Sequence, residues 1–252
     1  MKILLNISYL GSEYCGYQVQ KNGVTVQQKL NEAAYQLFGF ECDIVGCSRT
    51  DRGVHADMFC ACVSKRGKSG IVSTVPEKAL PLALNRFLPG DICVKEARYV
   101  DESFHPRYDV KYKEYQYKIL NSPLPDPFLN GRVWHYPRFI DEASIENMDK
   151  AARMFIGTHD FSSYMASGSS VSTTVRTVTE AKVEREGDLV IFKICADGFL
   201  YNMVRIMTGT LIGVAEGKFR PDDIESITEK RDRSCAGVTA PPQGLYLHRV
   251  VY

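Results

Sequence analysis

The order in which hydrophobic periodicities change along the chain constrains its fold more than any single residue. Lys2–Tyr9 alternates apolar and polar side chains and predicts a strand. Gly11–Gln20 is an aromatic, glycine-containing loop. Thr25 and Gln28 have capping-box spacing, and Val26, Leu30, Ala33, Ala34 and Leu37 recur at helical spacing beside them. Two strands follow, Cys42–Ser48 and Ala56–Val63. A helix is expected from Pro76 to Phe87, stopped by Pro89-Gly90, and then a strand over Asp91–Val100. The N-terminal part therefore reads β-α-β-β-α-β.

The remainder repeats that order with an insertion. Asp109–Leu120 alternates as a strand, and Pro123, Pro125 and Pro127 mark a loop. Asp141 can cap a helix carrying Ile145, Met148, Ala152 and Phe155 on one side and ending by Gly157. Val175–Arg185 and Leu189–Ala196 are strands joined by Glu186-Gly187-Asp188, a hairpin signal. Leu200–Glu216 reads as an apolar helix, a short helix follows Pro221, and Tyr246–Tyr252 is a last strand. Two copies of one order predict an α+β protein of two ferredoxin-like subdomains, residues 1–103 and 104–252. No residue-level repeat accompanies the repeated order.

The balance of residues excludes several classes. With 44% hydrophobic and 24% charged residues, the chain reads as an ordinary soluble globular protein. Met1-Lys2 leads straight into a strand without a signal-peptide core, and no apolar run approaches the roughly 18 residues of a membrane span. The eight cysteines form no Cys-x-x-Cys pair, and Cys60, Cys62, Cys93 and Cys195 lie on expected strands as small hydrophobes. A reducing cytoplasm without a disulfide framework is expected. Five scattered histidines and no ligand-spaced cysteines argue against a zinc site. A formal net charge of +1 does not itself suggest RNA, so any RNA contact must come from a local patch.

Chemistry concentrates in Gly46-Cys47-Ser48-Arg49-Thr50-Asp51-Arg52-Gly53-Val54-His55-Ala56, which joins the second and third expected strands. Asp51 sits between Arg49 and Arg52, with Gly53 after them. By spacing alone the stretch reads first as a strand-joining turn, because Thr-Asp-x-Gly is good turn chemistry. A carboxylate on a scaffold-held loop is also where catalysis is commonly placed.

Arg49-Thr50-Asp51-x-Gly53-Val54-His55-Ala56 is similar to the catalytic-aspartate motif of the tRNA pseudouridine synthase A (TruA) family. Further matching blocks run in order along almost the whole chain. They are Tyr9, Gly11, Tyr14-Cys15-Gly16-Tyr17-Gln18, Gln20 and Val26-Gln27, then Leu84 to Asp91 and Phe104-His105-Pro106-Arg107-Tyr108. Tyr115-Gln116-Tyr117, Gly157, His159-Asp160-Phe161, Ser163, Phe199 to Arg205, Gly209 and Ala240 to Leu247 complete the set. Ordered motifs in context are far more specific than one loop.

This resemblance implies a pseudouridine synthase fold with a central cleft and a cofactor-independent isomerase. Its expected substrates are tRNA uridines at positions 38, 39 and 40 of the anticodon stem-loop, and a homodimer is expected. It implies Asp51 as the catalytic carboxylate and Arg205 as its cationic partner. It also implies Tyr115 as the residue that stacks on the extruded base. Leu245 or Leu247 is an apolar wall for the uracil, and Arg49, Arg52, Arg107 and Lys113, with Lys65, Arg66 and Lys68, are candidate phosphate contacts. His55 and His105 are either RNA contacts or structural histidines. Without the resemblance, Arg205 reads as a solvated arginine off the apolar stripe of its helix, and Tyr115 as a core tyrosine.

Two departures from the family pattern bear on target choice rather than reaction type. Arg52 stands where alanine is common, and Glu114 where a basic residue is common. Two other functions compete. A tandem RNA-recognition module shares the element order, but its aromatic strand signature is absent from both halves. An N-glycoside hydrolase would need a second carboxylate flanking the bond, and the motif supplies one.

Overall fold

A computed structural model describes residues 1–168 and 171–252. It is α+β, as expected, and divides into two units: Met1–Lys111 with Leu247–Tyr252, and Tyr112–Tyr246.

The first unit contains β1 (Lys2–Tyr9), α1 (Val26–Phe38), β2 (Cys42–Gly46), β3 (His55–Lys65), α2 (Leu80–Asn85) and β4 (Ile92–Val100). β1 is central and pairs antiparallel with both β3 and β4; β2 pairs antiparallel with the C-terminal half of β3. Alternation along β1 puts Ile3, Leu5, Ile7 and Tyr9 on one face, each at most 4% exposed. α1 packs against β2, and α2 against β4. The Thr25 side chain accepts a hydrogen bond from the Gln28 backbone N–H at 3.2 Å. The Gln28 side chain does not return it but donates to Glu32 at 2.9 Å, so only half of the expected capping box forms.

The expected helix from Pro76 is broken into a single 3-10 turn, Glu77–Ala79, and α2. Pro81 has no N–H for a continuous ladder. At the far end Asn85 exchanges two side-chain hydrogen bonds with the Val94 backbone, 2.8 and 2.9 Å, tying the helix to β4.

The second unit holds β5 (Tyr112–Leu120), β6 (Trp134–His135), α3 (Glu142–Arg153), β7 (Gly157–Asp160), β8 (Val175–Glu186), β9 (Leu189–Ala196), α4 (Met203–Ala215) and α5 (Asp223–Lys230). Its strands run in the order β5-β9-β8-β7, all antiparallel, with the two-residue β6 parallel to β5. β6 and β7 are too short to show a period in sequence. α3 is capped by Asp141, whose carboxylate accepts from Ser144 N–H at 2.8 Å, and it packs on β8 and α4. The last strand, β10 (Leu245–Val251), begins in this unit and passes into the first, where it neighbours β3 and His248 Nδ1 lies 2.9 Å from Asp57. Among the described residues no helix is long and apolar enough to cross a membrane, and no cluster of potential metal ligands is found.

Candidate active site

The residues singled out in the sequence are divided between the two units: Asp51 and its neighbours lie in the first, and Tyr115 and Arg205 in the second. In the first, β2 ends at Gly46, where a Cβ would come 2.6 Å from the Tyr17 ring and 2.7 Å from Phe59. The chain then crosses to β3 through Cys47–Val54. This crossing is clamped from the side by the Gly11–Gln20 loop. Tyr17 N–H donates to the Thr50 carbonyl at 3.1 Å, and the Tyr9 and Thr50 hydroxyls are hydrogen-bonded at 2.8 Å. Gly16 has φ +82°, and a Cβ there would lie 2.5 Å from the Thr50 carbonyl oxygen. A Cβ on Gly11 would overlap the Val54 carbonyl. Tyr17 stacks on Phe59 with centroids 4.2 Å apart, so the clamp is anchored in the core.

Asp51 stands half-buried at the centre of this held crossing, and its carbonyl accepts from Val54 N–H at 3.2 Å. Arg49 and Arg52 are exposed on either side. His55 is fully buried, and its Nδ1 accepts the Gly11 N–H at 2.9 Å. That bond fixes the neutral tautomer with its proton on Nε2, a structural role. Arg107 is half-buried in the turn after β4. Lys65 closes the eleven-residue β3 at its opposite end, roughly 30 Å along the strand from His55, and Arg66 and Lys68 follow it. Arg66 is paired there with Glu41 at 2.6 Å and Asp43 at 3.5 Å, and Lys65 sits over the Phe40 ring. Burial pushes the Cys60 and Cys62 thiols up to about 12, so they are poor nucleophiles.

In the second unit, Arg205 is carried by α4. Asn202, at φ 61°, interrupts the helix expected from Leu200, and α4 starts only at Met203. Arg205 is half-buried rather than solvated. Its Nη1 donates to Asn202 Oδ1 at 2.7 Å and its Nε to the Ala240 carbonyl at 2.8 Å; Ala240 N–H returns a bond to the Arg205 carbonyl at 3.1 Å. Asn202 and the Ala240–Gly244 segment are thus parts of the arginine's setting whose roles the sequence does not announce. Tyr117 is fully buried on β5, and its hydroxyl donates to the Pro241 carbonyl at 2.5 Å. A Cβ on Gly244 would meet the same ring at 2.5 Å. Desolvation holds the Tyr117 phenol well above its usual range, opposed by the charge of Arg205.

Tyr115, on the same face of β5 by alternation, is 6% exposed and meets Phe199 edge-on, with centroids 4.9 Å apart. Lys113 is half-buried near the start of β5, opposite Ala196. Leu245 opens β10 and is buried, as is Leu247.

Residues 151–252 match the tRNA pseudouridine synthase family. A protein of Thermoanaerobacter pseudethanolicus named tRNA pseudouridine synthase A is 45% identical over 252 residues, covering 99% of each chain. The Acetivibrio thermocellus protein of the same name is 46% identical over 250 residues, again 99% of each. A Clostridium tetani protein named tRNA pseudouridine synthase A 2 is 41% identical over 252 residues, 99% of this chain and 98% of that one. Identity at this level, sustained from end to end, shows that the chain belongs to the tRNA pseudouridine synthase A family.

Proposed function

We propose that Asp51 carries the family's reaction in this chain, with Arg205 as its electrostatic support and Tyr115 as the stacking partner of the target base. The enzyme is an isomerase that converts uridine in tRNA to pseudouridine. In that conversion the N1–C1′ bond breaks, the uracil turns, and a C5–C1′ bond forms. N1 ends with a proton and C5 loses one, so nothing is added and no cofactor is consumed.

The observation that carries the reading is the Asp51 crossing itself: one half-buried carboxylate on a loop pinned by Tyr9, Gly16 and Tyr17. A carboxylate that stays ionised can attack C1′ or take a proton from the sugar. A fixed guanidinium favours that ionised form and does not itself lose charge. Arg205 suits the part because Asn202 and Ala240 fix two of its donors. A stacked or paired uridine must leave its stack to react, and an aromatic face holds the extruded base. Leu245 is assigned to the apolar wall of the base pocket. Arg49, Arg52, Arg107 and Lys113 are assigned to phosphates, which position RNA without reading its sequence.

In this reading the N-terminal subdomain brings the carboxylate, and the C-terminal subdomain brings the tyrosine and arginine. The target is the anticodon stem-loop, and the protein works as a cytoplasmic homodimer.

One assay separates this function from its rivals. Incubation with unmodified tRNA should yield pseudouridine at the family's positions and no free uracil. Free uracil would mean an N-glycoside hydrolase. Bound but unchanged tRNA would mean a binding module.

A further inference from the structure

The turn that follows β4 is built more rigidly than a connection needs. His105 N–H donates to Asp109 Oδ2 at 2.9 Å, and Asp109 N–H to the His105 carbonyl at 3.1 Å. The Pro106 carbonyl accepts the Tyr252 hydroxyl at 2.9 Å, while the Tyr252 ring packs on Phe104 with centroids 4.9 Å apart. Lys2 Nζ donates to the Phe104 carbonyl at 3.0 Å. Inside the turn, His105 Nδ1 accepts from the backbone N–H groups of Arg107 and Tyr108 at 3.2 and 3.3 Å. Both bonds need an unprotonated Nδ1, and they tie the imidazole to the backbone of the turn.

What this turn presents is a single aromatic ring. Tyr108 is 76% exposed, and its ring lies nearly parallel to His105, with centroids 4.2 Å apart and planes 28° from parallel. An exposed tyrosine would ordinarily be free to rotate. Here one face is backed by a fixed imidazole and the other is open. Arg107 beside it makes no ion pair among the described residues, and Lys111 is exposed two residues past the turn. A preorganised aromatic face flanked by uncommitted cations suits one ligand chemistry, a flat base carried on a phosphate backbone.

We propose that Tyr108, backed by His105, is a stacking platform for an unpaired base of the RNA substrate, separate from the base that reacts. The proposal rests on the tRNA reading above and extends it to a second point of contact. Because the ring is exposed and, among the described residues, its ring contact is with His105, its loss does not threaten the fold. Its contribution is to binding and not to chemistry.

The test measures affinity, so it is independent of turnover. Fluorescence anisotropy with an unmodified anticodon stem-loop RNA should show Tyr108→Ala weakening Kd roughly five- to tenfold. Tyr108→Phe, which keeps the π-face, should stay within about twofold of wild type. The melting temperature should be unchanged in both. In a stem-loop substituted with 5-iodouridine, photo-crosslinking should map to Tyr108 at a loop uridine. Wild-type affinity for Tyr108→Ala overturns the proposal. So does equal weakening by Phe and Ala, which would assign the contact to the hydroxyl. Absence of pseudouridine from the wild-type enzyme would instead refute the reaction proposed for Asp51, and leaves the affinity comparison standing.

Discussion

Arg205 is held by Asn202: its Nη1 donates to the Asn202 side-chain oxygen at 2.7 Å, from the left-handed residue that precedes the first turn of α4. Asparagine tolerates that backbone far better than most residues and also carries the acceptor, so one residue takes the left-handed position before the helix while its side chain holds a guanidinium donor. Asn202→Gly should keep the backbone while freeing the arginine. Activity should fall at least tenfold with little change in melting temperature. Arg205→Lys keeps the charge but not the fork and should retain partial activity at best. Arg205→Leu should leave a folded protein with almost no activity. Pseudouridine formation and thermal melts on the three variants check this ordering.

Gly16 tests the clamp on the Asp51 crossing. Alanine there must adopt φ +82° and place its Cβ 2.5 Å from the Thr50 carbonyl. The backbone conformation alone costs roughly 1–2 kcal/mol. Relieving the contact means separating the Gly16 loop from the Asp51 loop. Gly16→Ala should therefore lower the melting temperature and reduce kcat more than tRNA affinity. Equal kcat in the variant would show that the loop does not depend on this approach.

Tyr115 has two jobs in this account, packing and stacking, and they can be separated. Tyr115→Phe preserves the edge-on contact with Phe199 and the face for a base, and should keep most of the activity. Tyr115→Ala should lose stacking worth ~1–3 kcal/mol, as well as core packing. Assayed well below its melting temperature, the Ala variant should still bind tRNA while turning over little. Undiminished turnover by Ala would make the tyrosine a core residue only.

His105 gives a pH dependence. Burial, then the charges of Lys2 and Arg107, hold its pKa below the ordinary histidine value, against a smaller opposing effect of Asp109. The neutral ring is the one that accepts the two backbone N–H groups. Its stabilising contribution is fully present above the unfolded value of about 6.5 and is lost as pH falls through the lowered folded value. Melting temperature measured between about pH 7 and pH 5 should drop less steeply in His105→Gln than in wild type. Parallel acid limbs would remove the histidine from that linkage.

Much of this fold was legible in the sequence because its strands and helices carry clear periods. Leu189–Ala196 and the Asp141 cap lie where the pattern put them. What the pattern does not carry is nonlocal. The return of Leu247–Tyr252 to the first unit depends on strand neighbours remote in sequence. The break at Pro81 was visible as a proline but was read through, and β6 offers only two residues. At the candidate site, Asp51 is singled out by its motif, whereas Asn202 and the Gly16–Thr50 approach are not. Their roles lie in a positive φ and in a contact between distant loops, and a side-chain pattern shows neither. Arg205 likewise looks solvated on a helical wheel, because the wheel omits the Ala240 segment that covers it.

The central claim is that one carboxylate performs the isomerisation, and Asp51→Asn tests it most directly. The substitution keeps the shape and removes the charge, leaving neither a nucleophile nor a base. Purified variant and wild type are incubated with unmodified tRNA, and pseudouridine is quantified alongside tRNA affinity. The account predicts no detectable pseudouridine from the variant, with affinity close to wild type. Appreciable pseudouridine formation by Asp51→Asn would contradict it.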